Sequence, residues 1–220
     1  METDFTAARE SLIAAIRHEV GDERVLAAMS RVPRERFLPP DLHRYAYDDR
    51  PLPIGHGQTI SQPLMVAIMT EVLHLKGHEK VLELGTGSGY QAAILAGLAR
   101  QVDSVERVPE LAQSAAQRLR ELGCHNVAVH VSEKGTLGWP AGAPYDAILV
   151  TAGAPHVPQE LVGQLKIGGR LVIPVGRRYA QELLSVQREQ AGTKVTRHGQ
   201  CRFVPLIGYG AWPEENEESG

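Results

Sequence analysis

The sequence predicts an α/β fold in which a mostly parallel, doubly wound sheet carries helices on both faces. Three observations lead there. From Lys80 onward, short apolar runs rich in β-branched residues alternate with amphipathic stretches. One run, 81–84, passes straight into Gly85, Gly87 and Gly89 and restarts as a helix-forming stretch over 91–99. Two late strand-like runs joined by Gln190-Ala-Gly-Thr193 predict an antiparallel C-terminal edge.

Taken in chain order, 5–18 and 22–30 place Leu12, Ile13 and Ile16, then Val25, Leu26 and Met29, at helical spacing, with Gly21-Asp22 as break and cap. Residues 33–57 are dense in proline, aromatic and charged residues without a period. So long an irregular segment in a compact domain predicts a functional loop or lid. Helix returns over 63–75, with Pro63 in its first turn and Met65, Ile68, Met69 and Val72 as its apolar stripe. Strands are predicted near 80–84, 102–106, 127–131, 145–151 and 170–175, and helices near 90–99, 109–122 and 158–165. That alternation implies a parallel sheet with right-handed crossovers. Lys166-Ile-Gly-Gly-Arg170 reads as a turn, and 182–186 with 195–204 as the edge pair. The whole is expected to be one domain over 1–212. Residues 1–62 form its N-terminal helices and lid, 63–212 its core, and 213–220 an acidic, disordered tail.

At 220 residues and 43% hydrophobic, the chain can bury a full core. A net charge of −3 gives no electrostatic reason to expect nucleic acid or an anionic membrane as partner. No apolar run approaches the ~20 residues that span a bilayer, and no signal peptide is visible at Met1-Glu-Thr-Asp-Phe5. Cys124 and Cys201 lack C-x-x-C spacing, and the nine histidines show no ligand spacing. A metal-free, cytoplasmic, monomeric enzyme is the expectation.

The stretch Val81-Leu-Glu-Leu-Gly-Thr-Gly-Ser-Gly-Tyr-Gln91 brings bare backbone and a helix N-terminus toward a ligand. A dinucleotide fingerprint requires G-x-G-x-x-G; here the spacing is G-x-G-x-G, with Tyr90 where the last glycine would stand. Glu83, two residues before the first glycine, is expected to point at the loop mouth, where an acid suits a cationic amino-acid head better than a pyrophosphate. Glu106 ends the next predicted strand, 21 residues beyond Gly85. At that separation a carboxylate can accept the hydroxyls of an adenosine ribose. Together these favour S-adenosyl-L-methionine over a nicotinamide dinucleotide. The competing reading is a surface turn with two solvated acids.

Longer motifs narrow the reading. They are Pro51-Leu-Pro-Ile-Gly-His-Gly-Gln-Thr-Ile-Ser-Gln-Pro63, Ala143-Pro-Tyr-Asp-Ala-Ile-Leu-Val-Thr-Ala-Gly-Ala-Pro155, Gly168-Gly-Arg-Leu-Val-Ile-Pro-Val-Gly176 and Arg202-Phe-Val-Pro-Leu206. On these and the glycine loop, over about 5–208, the chain resembles the protein-L-isoaspartate O-methyltransferases. The glycine loop is common to Rossmann-like methyltransferases, whereas Gly-Gln-Thr-Ile-Ser-Gln-Pro is far more restricted. The resemblance implies methyl transfer from S-adenosyl-L-methionine to the free α-carboxylate of L-isoaspartyl residues in damaged proteins and peptides, leaving S-adenosyl-L-homocysteine. It implies Ser61 as the active-site residue and Gln58, Thr59 and Ile60 beside the cofactor. Gly85, Thr86, Gly87, Ser88 and Gly89 would form the cofactor loop, and Ile54, Val204 and Pro205 would shape the peptide groove. One departure stands out: Lys134, before Gly135, occupies the position of an aspartate that in the family receives the adenine amino group. An ammonium cannot accept that bond. Glu133 or a backbone carbonyl would have to serve.

A carboxylate is already ionised at neutral pH, so this chemistry calls for alignment and exclusion of water rather than a strong base. Ser61 can donate one orienting hydrogen bond; its alternative role is an N-cap for the helix opening at Pro63. His56 reads as a solvated loop residue, and Tyr45 and Tyr47 as lid packing. Three other functions remain open: a nicotinamide-dependent oxidoreductase, a binding protein that has lost transferase activity, and a methyltransferase for another acceptor.

Overall fold

In the computed structural model, which describes residues 4–213, the periodic N-terminal runs form α1 (Thr6–Ile16) and α2 (Glu23–Arg31). The Asp22 carboxylate caps α2 by accepting from the Arg24 N–H at 2.9 Å. Next come two short 3-10 turns, Arg34–Phe37 and Pro40–Tyr45, then a small hairpin of β1 (Leu52–Gly55) and β2 (Gln58–Ile60). The hairpin is a departure from the irregular segment expected over 33–57. Its strands are too short, and too interrupted by Pro51 and Pro53, to show alternation. His56 and Gly57 turn it, both with positive φ (52° and 68°), the backbone that a two-residue hairpin loop requires. Tyr47 packs the lid as expected: its hydroxyl accepts from Arg9 Nε at 2.8 Å and donates to Glu35.

After α3 (Pro63–Val72) the alternation predicted from the sequence follows. The elements are β3 (Lys80–Leu84), α4 (Tyr90–Ala96), β4 (Gln101–Glu106), α5 (Pro109–Glu121), β5 (Val127–Val131), β6 (Tyr145–Val150) and α6 (Gln159–Gln164). Three longer strands close the fold: β7 (Leu165–Arg177), β8 (Ala180–Glu189) and β9 (Gly192–Cys201). They make one seven-stranded sheet, ordered β5-β4-β3-β6-β7-β8-β9, parallel from β5 to β7 and antiparallel beyond.

The turn expected at 166–170 is instead part of β7. Tyr145 pairs with Leu165 and Ala147 with Arg170, so the extra residues are taken up as an irregularity inside one strand, with Gly168 at φ 84°. The same local chemistry that reads as a turn here makes a bulge. Of the acidic tail expected to be disordered, 214–220 lie outside the described residues. Among the described residues, no helix is long and apolar enough to cross a membrane.

The central strands are apolar on both faces because both faces are covered. Leu82, Leu84, Ile148, Val150, Leu171 and Ile173 pack with Leu161 of α6. Val81, Val102, Ala147, Leu149 and Val172 face the other way, against Met69 and Val72 of α3 and Leu95 of α4. Truncating a fully buried residue such as Leu149 to alanine costs ~2–5 kcal/mol through lost burial and the cavity left behind. The lid shares the core as well: Leu52 and Ile60 belong to one cluster with Phe37, Ala92 and Ile94.

Ser61 does not cap α3. The N-cap position is Gln62, which makes no side-chain capping bond. A more distant residue takes that work: Asp49 accepts from the Leu64 N–H and from Gln62 Nε2, each at 2.8 Å. Asp49→Ala should therefore cost about 1 kcal/mol of stability, the usual price of a lost cap, and lower the urea midpoint. Ser61→Ala should leave that midpoint in place, and a matching loss in both variants would return the capping role to Ser61.

Candidate active site

The strands flanking β3, β4 on one side and β6 on the other, are reached by crossovers that leave in opposite directions, which opens a crevice at their carboxyl ends. A cavity of about 1250 Å³ lies there. Its wall comes from 57–61 of the lid, 84–88 after β3, 105–108 after β4, 132–138 after β5, Thr151 and Ala152 after β6, and 204–209 near the C-terminus.

The glycine loop needs its glycines for identifiable reasons. Gly85 has φ 95°, and a Cβ there would run into the Thr151 hydroxyl. A Cβ on Gly87 would stand 3.3 Å from Ile54 Cδ1 of the lid hairpin. The loop is thus clamped between β6 and the lid. Thr151 Oγ1 lies 3.0 and 2.8 Å from the carbonyl oxygens of Leu84 and Gly85, donating to both as a shared bond. In the sequence it stands at the end of a predicted strand and inside the motif 143–155, with nothing to mark this role.

Glu106, only 6% exposed, gathers the carboxyl ends of β3 and β4. One oxygen accepts from the Gly87 N–H at 2.8 Å, the other from the Arg107 and Val108 N–H groups at 2.8 and 3.0 Å. The carboxylate is held rigidly at the cavity wall, with lone pairs left to accept further donors.

Glu83 is not where the sequence suggested. The alternation along β3 turns it to the side of Val81, away from Leu82 and Leu84, and it lies wholly buried beneath the loop rather than at the mouth. One carboxyl oxygen accepts from Ser104 Oγ at 2.5 Å, and Ser104 in turn bonds Thr86 Oγ1 at 2.6 Å. The other, Oε1, has no hydrogen-bond partner among the described residues. Burial, opposed by the Ser104 bond and reinforced by the nearby Glu106 charge, pushes this carboxyl up to about 8.

Most of the remaining sequence-predicted residues meet in one place. Gln58, Thr59, Ile60 and Ser61 line the lid side; Gly85, Thr86, Gly87 and Ser88 line the floor. Lys134 and Gly135 stand on the far wall beside Glu133, and Val204 and Pro205 on the C-terminal wall. Two residues do not reach the surface of the cavity: Gly89 is the left-handed N-cap of α4 (φ 92°), and Ile54 buttresses Gly87 from behind. The Ser61 hydroxyl makes no hydrogen bond among the described residues. Sequence reasoning missed Tyr90 and Gln91, which read as ordinary helix, and 207–209, which carry no motif.

This fold and site define a class: Rossmann-like α/β proteins that hold an adenosine-bearing cofactor at the switch point of the sheet. Residues 7–210 match the family model for protein-L-isoaspartate(D-aspartate) O-methyltransferase. A Syntrophobacter fumaroxidans relative, protein-L-isoaspartate O-methyltransferase 1, is 54% identical over 211 residues, covering 95% of this chain and 98% of its own. A Geobacter metallireducens protein-L-isoaspartate O-methyltransferase is 50% identical over 96% of this chain and 99% of its own. Among solved structures, a protein-L-isoaspartate O-methyltransferase superposes with TM-score 0.79 at 30% identity, over 89% of this chain and 65% of its own. A Plasmodium falciparum structure of the same enzyme name, in complex with S-adenosyl-L-homocysteine, gives TM-score 0.78 at 26% identity, over 92% and 98%. The chain belongs to the protein-L-isoaspartate O-methyltransferase family.

The buried Glu83 carboxyl carries a stability signature. The unfolded chain loses this proton near its ordinary value of 4.5 and the folded chain near 8, so between them the folded state binds more protons. Its contribution is complete below pH 4.5 and falls as pH rises toward 8. In Glu83→Gln, the melting temperature should decline less steeply between pH 5 and 8 than in the wild type. Parallel curves would mean that Glu83 ionises as an ordinary carboxylate.

Proposed function

We propose that this chain methylates the free α-carboxylate of L-isoaspartyl residues in damaged proteins and peptides, with Ser61 orienting the acceptor. One observation carries the residue assignment. The lid segment 58–61 stands along the cavity wall with its serine hydroxyl unbonded among the described residues, Asp49 supplying the α3 cap instead.

The residues present fit S-adenosyl-L-methionine. Glycine backbone comes bare to the floor, the Glu106 carboxylate is fixed at the wall where ribose hydroxyls can donate to it, and the cavity is ample for a nucleoside with an amino-acid arm. When bound, this cofactor supplies an activated methyl group on a sulfonium. The Plasmodium falciparum relative is in complex with the matching product, S-adenosyl-L-homocysteine. The chain's own residues then have three tasks. Ser61 Oγ–H donates to one oxygen of the acceptor carboxylate, orienting it without an ion pair that would hold its charge back. Ile60, Val204 and Pro205 present apolar surface that displaces water from the anion. Glu106 and the loop 85–88 hold the donor in place opposite. No proton is removed in the step, so no general base is needed; the oxygen–methyl bond that forms would replace the sulfur–methyl bond that breaks, leaving a neutral ester and a neutral thioether.

The fold supports a single methyltransferase domain for 1–212, since the lid shares one core cluster with α3, α4 and α5, and Val127 and Val129 of β5 pack against it. Glu133 and Lys134 both line the wall at 132–138, and of the two only the carboxylate can accept from the adenine amino group, which assigns that contact to Glu133. Glu133→Ala should then weaken S-adenosyl-L-homocysteine binding about fivefold, the worth of one neutral-donor hydrogen bond, and Lys134→Ala should leave it unchanged by calorimetry. A loss at Lys134 alone would reverse the assignment.

The function itself is tested with radiolabelled cofactor and two matched peptides, one isoaspartyl and one aspartyl. Base-labile label should enter the isoaspartyl peptide alone. Ser61→Ala should keep S-adenosyl-L-homocysteine affinity and lower kcat by about 10- to 100-fold, the scale of lost orientation. Unchanged turnover would make Ser61 a wall residue only.

A further inference from the structure

We propose that Arg34 is a positioning residue for the methyl transfer, its guanidinium holding the main chain of Ser61 in place over the cavity. This rests on the reading of Ser61 given above. Arg34 lies in the first 3-10 turn, 27 residues before Ser61 in the chain, and is wholly buried. Among the described residues no carboxylate lies within ion-pair distance of it. Instead its fork is spread over three main-chain carbonyls of the lid. Nε donates to Ala46 O at 2.7 Å, one terminal nitrogen to Ser61 O at 3.0 Å, and the other to Arg50 O at 3.2 Å. The plane lies 5.1 Å from the ring centre of Tyr90, which lines the cavity and opens α4 directly after the glycine loop.

A buried cation held by main-chain carbonyls, with the Asp49 charge nearby but no direct ion pair among the described residues, is an expensive way to fill space, and an apolar side chain would do that better. What a guanidinium adds is a rigid planar fork that can bond several carbonyls at fixed angles, something the single ammonium of lysine cannot reproduce. The three acceptors bracket the hairpin: Ala46 and Arg50 precede it, and Ser61 ends it. One side chain therefore sets both roots of the hairpin against each other and against the helix that follows the cofactor loop. Ser61 depends on this anchor, because its own hydroxyl has no bond among the described residues. With the carbonyl bonded to a charged donor, the Ser61 main chain cannot swing, and Oγ keeps its direction.

The test compares wild type, Arg34→Lys, Ser61→Ala and the double variant, by steady-state kinetics on an isoaspartyl peptide and by calorimetric binding of S-adenosyl-L-homocysteine. Arg34→Lys should lower kcat about tenfold, the scale of a misplaced catalytic contact, while cofactor-product affinity stays within about twofold. In the Ser61→Ala background the same substitution should cost less than about twofold more, since residues acting through one another are non-additive. Equal losses in both backgrounds would overturn the inference and leave the role of Ser61 standing. Wild-type turnover in Ser61→Ala would remove that role, and the inference with it. A parallel collapse of product affinity would make Arg34 a structural residue only. Should Arg34→Lys not fold, Arg34→Gln, which keeps one donor pair near the carbonyls, gives the same four-way comparison.

Discussion

The Glu106 carboxylate, bonded to three main-chain N–H groups, is the contact on which the rest of the site depends. It ties the loop after β3 to the loop after β4, and so fixes the mouth of the crevice before any ligand arrives. Parallel strands end with unpaired backbone groups, and at the switch point these diverge rather than pair. A two-oxygen acceptor at the tip of β4 converts that divergence into a defined wall. Thr151 does the corresponding work from β6 by bonding the Leu84 and Gly85 carbonyls. The glycine loop is thereby held on both flanks by side chains from neighbouring strands.

A second constraint is the coupling of lid to core. Residues 33–62 could have been a loose flap, yet Phe37, Leu52 and Ile60 are buried in the same cluster as Ala92 and Ile94 of α4. Ile54 rests against Gly87, and Phe37 meets the Tyr90 ring edge-on at 5.4 Å. The lid is therefore a packed wall of the site. For a reaction whose demands are alignment and dryness, a wall held by packing is better suited than one that must be ordered each time substrate binds.

Beneath the loop, Glu83, Ser104 and Thr86 form a buried polar chain with one carboxyl oxygen left without a partner among the described residues. Such an atom is costly in an apolar setting. The neighbouring Glu106 charge adds to the cost of ionising Glu83, so the two acids, which look equivalent along the chain, do different work: Glu106 anchors main-chain N–H groups at the wall, while Glu83 is a carboxyl pushed up to about 8 by burial.

The order of strands and helices was legible because each central strand is an unbroken apolar run and each helix has a 3.6-residue stripe, both properties of neighbours in the chain. The glycine loop and Glu106 were legible as wall elements too, since their spacing encodes backbone chemistry, whereas Ser61 entered only through the family resemblance of its motif. What local sequence could not decide were matters of which face and which partner. Glu83 follows the pleat of β3 into the interior, although its distance from the glycines suits a rim residue. Gly168 and Gly169 make a bulge because β6 continues alongside, and Asp49 replaces Ser61 as the α3 cap because the hairpin brings it 15 residues back to the helix start. Each of these depends on contacts between segments far apart in the chain, and the energies of such contacts exist only once the sheet has formed.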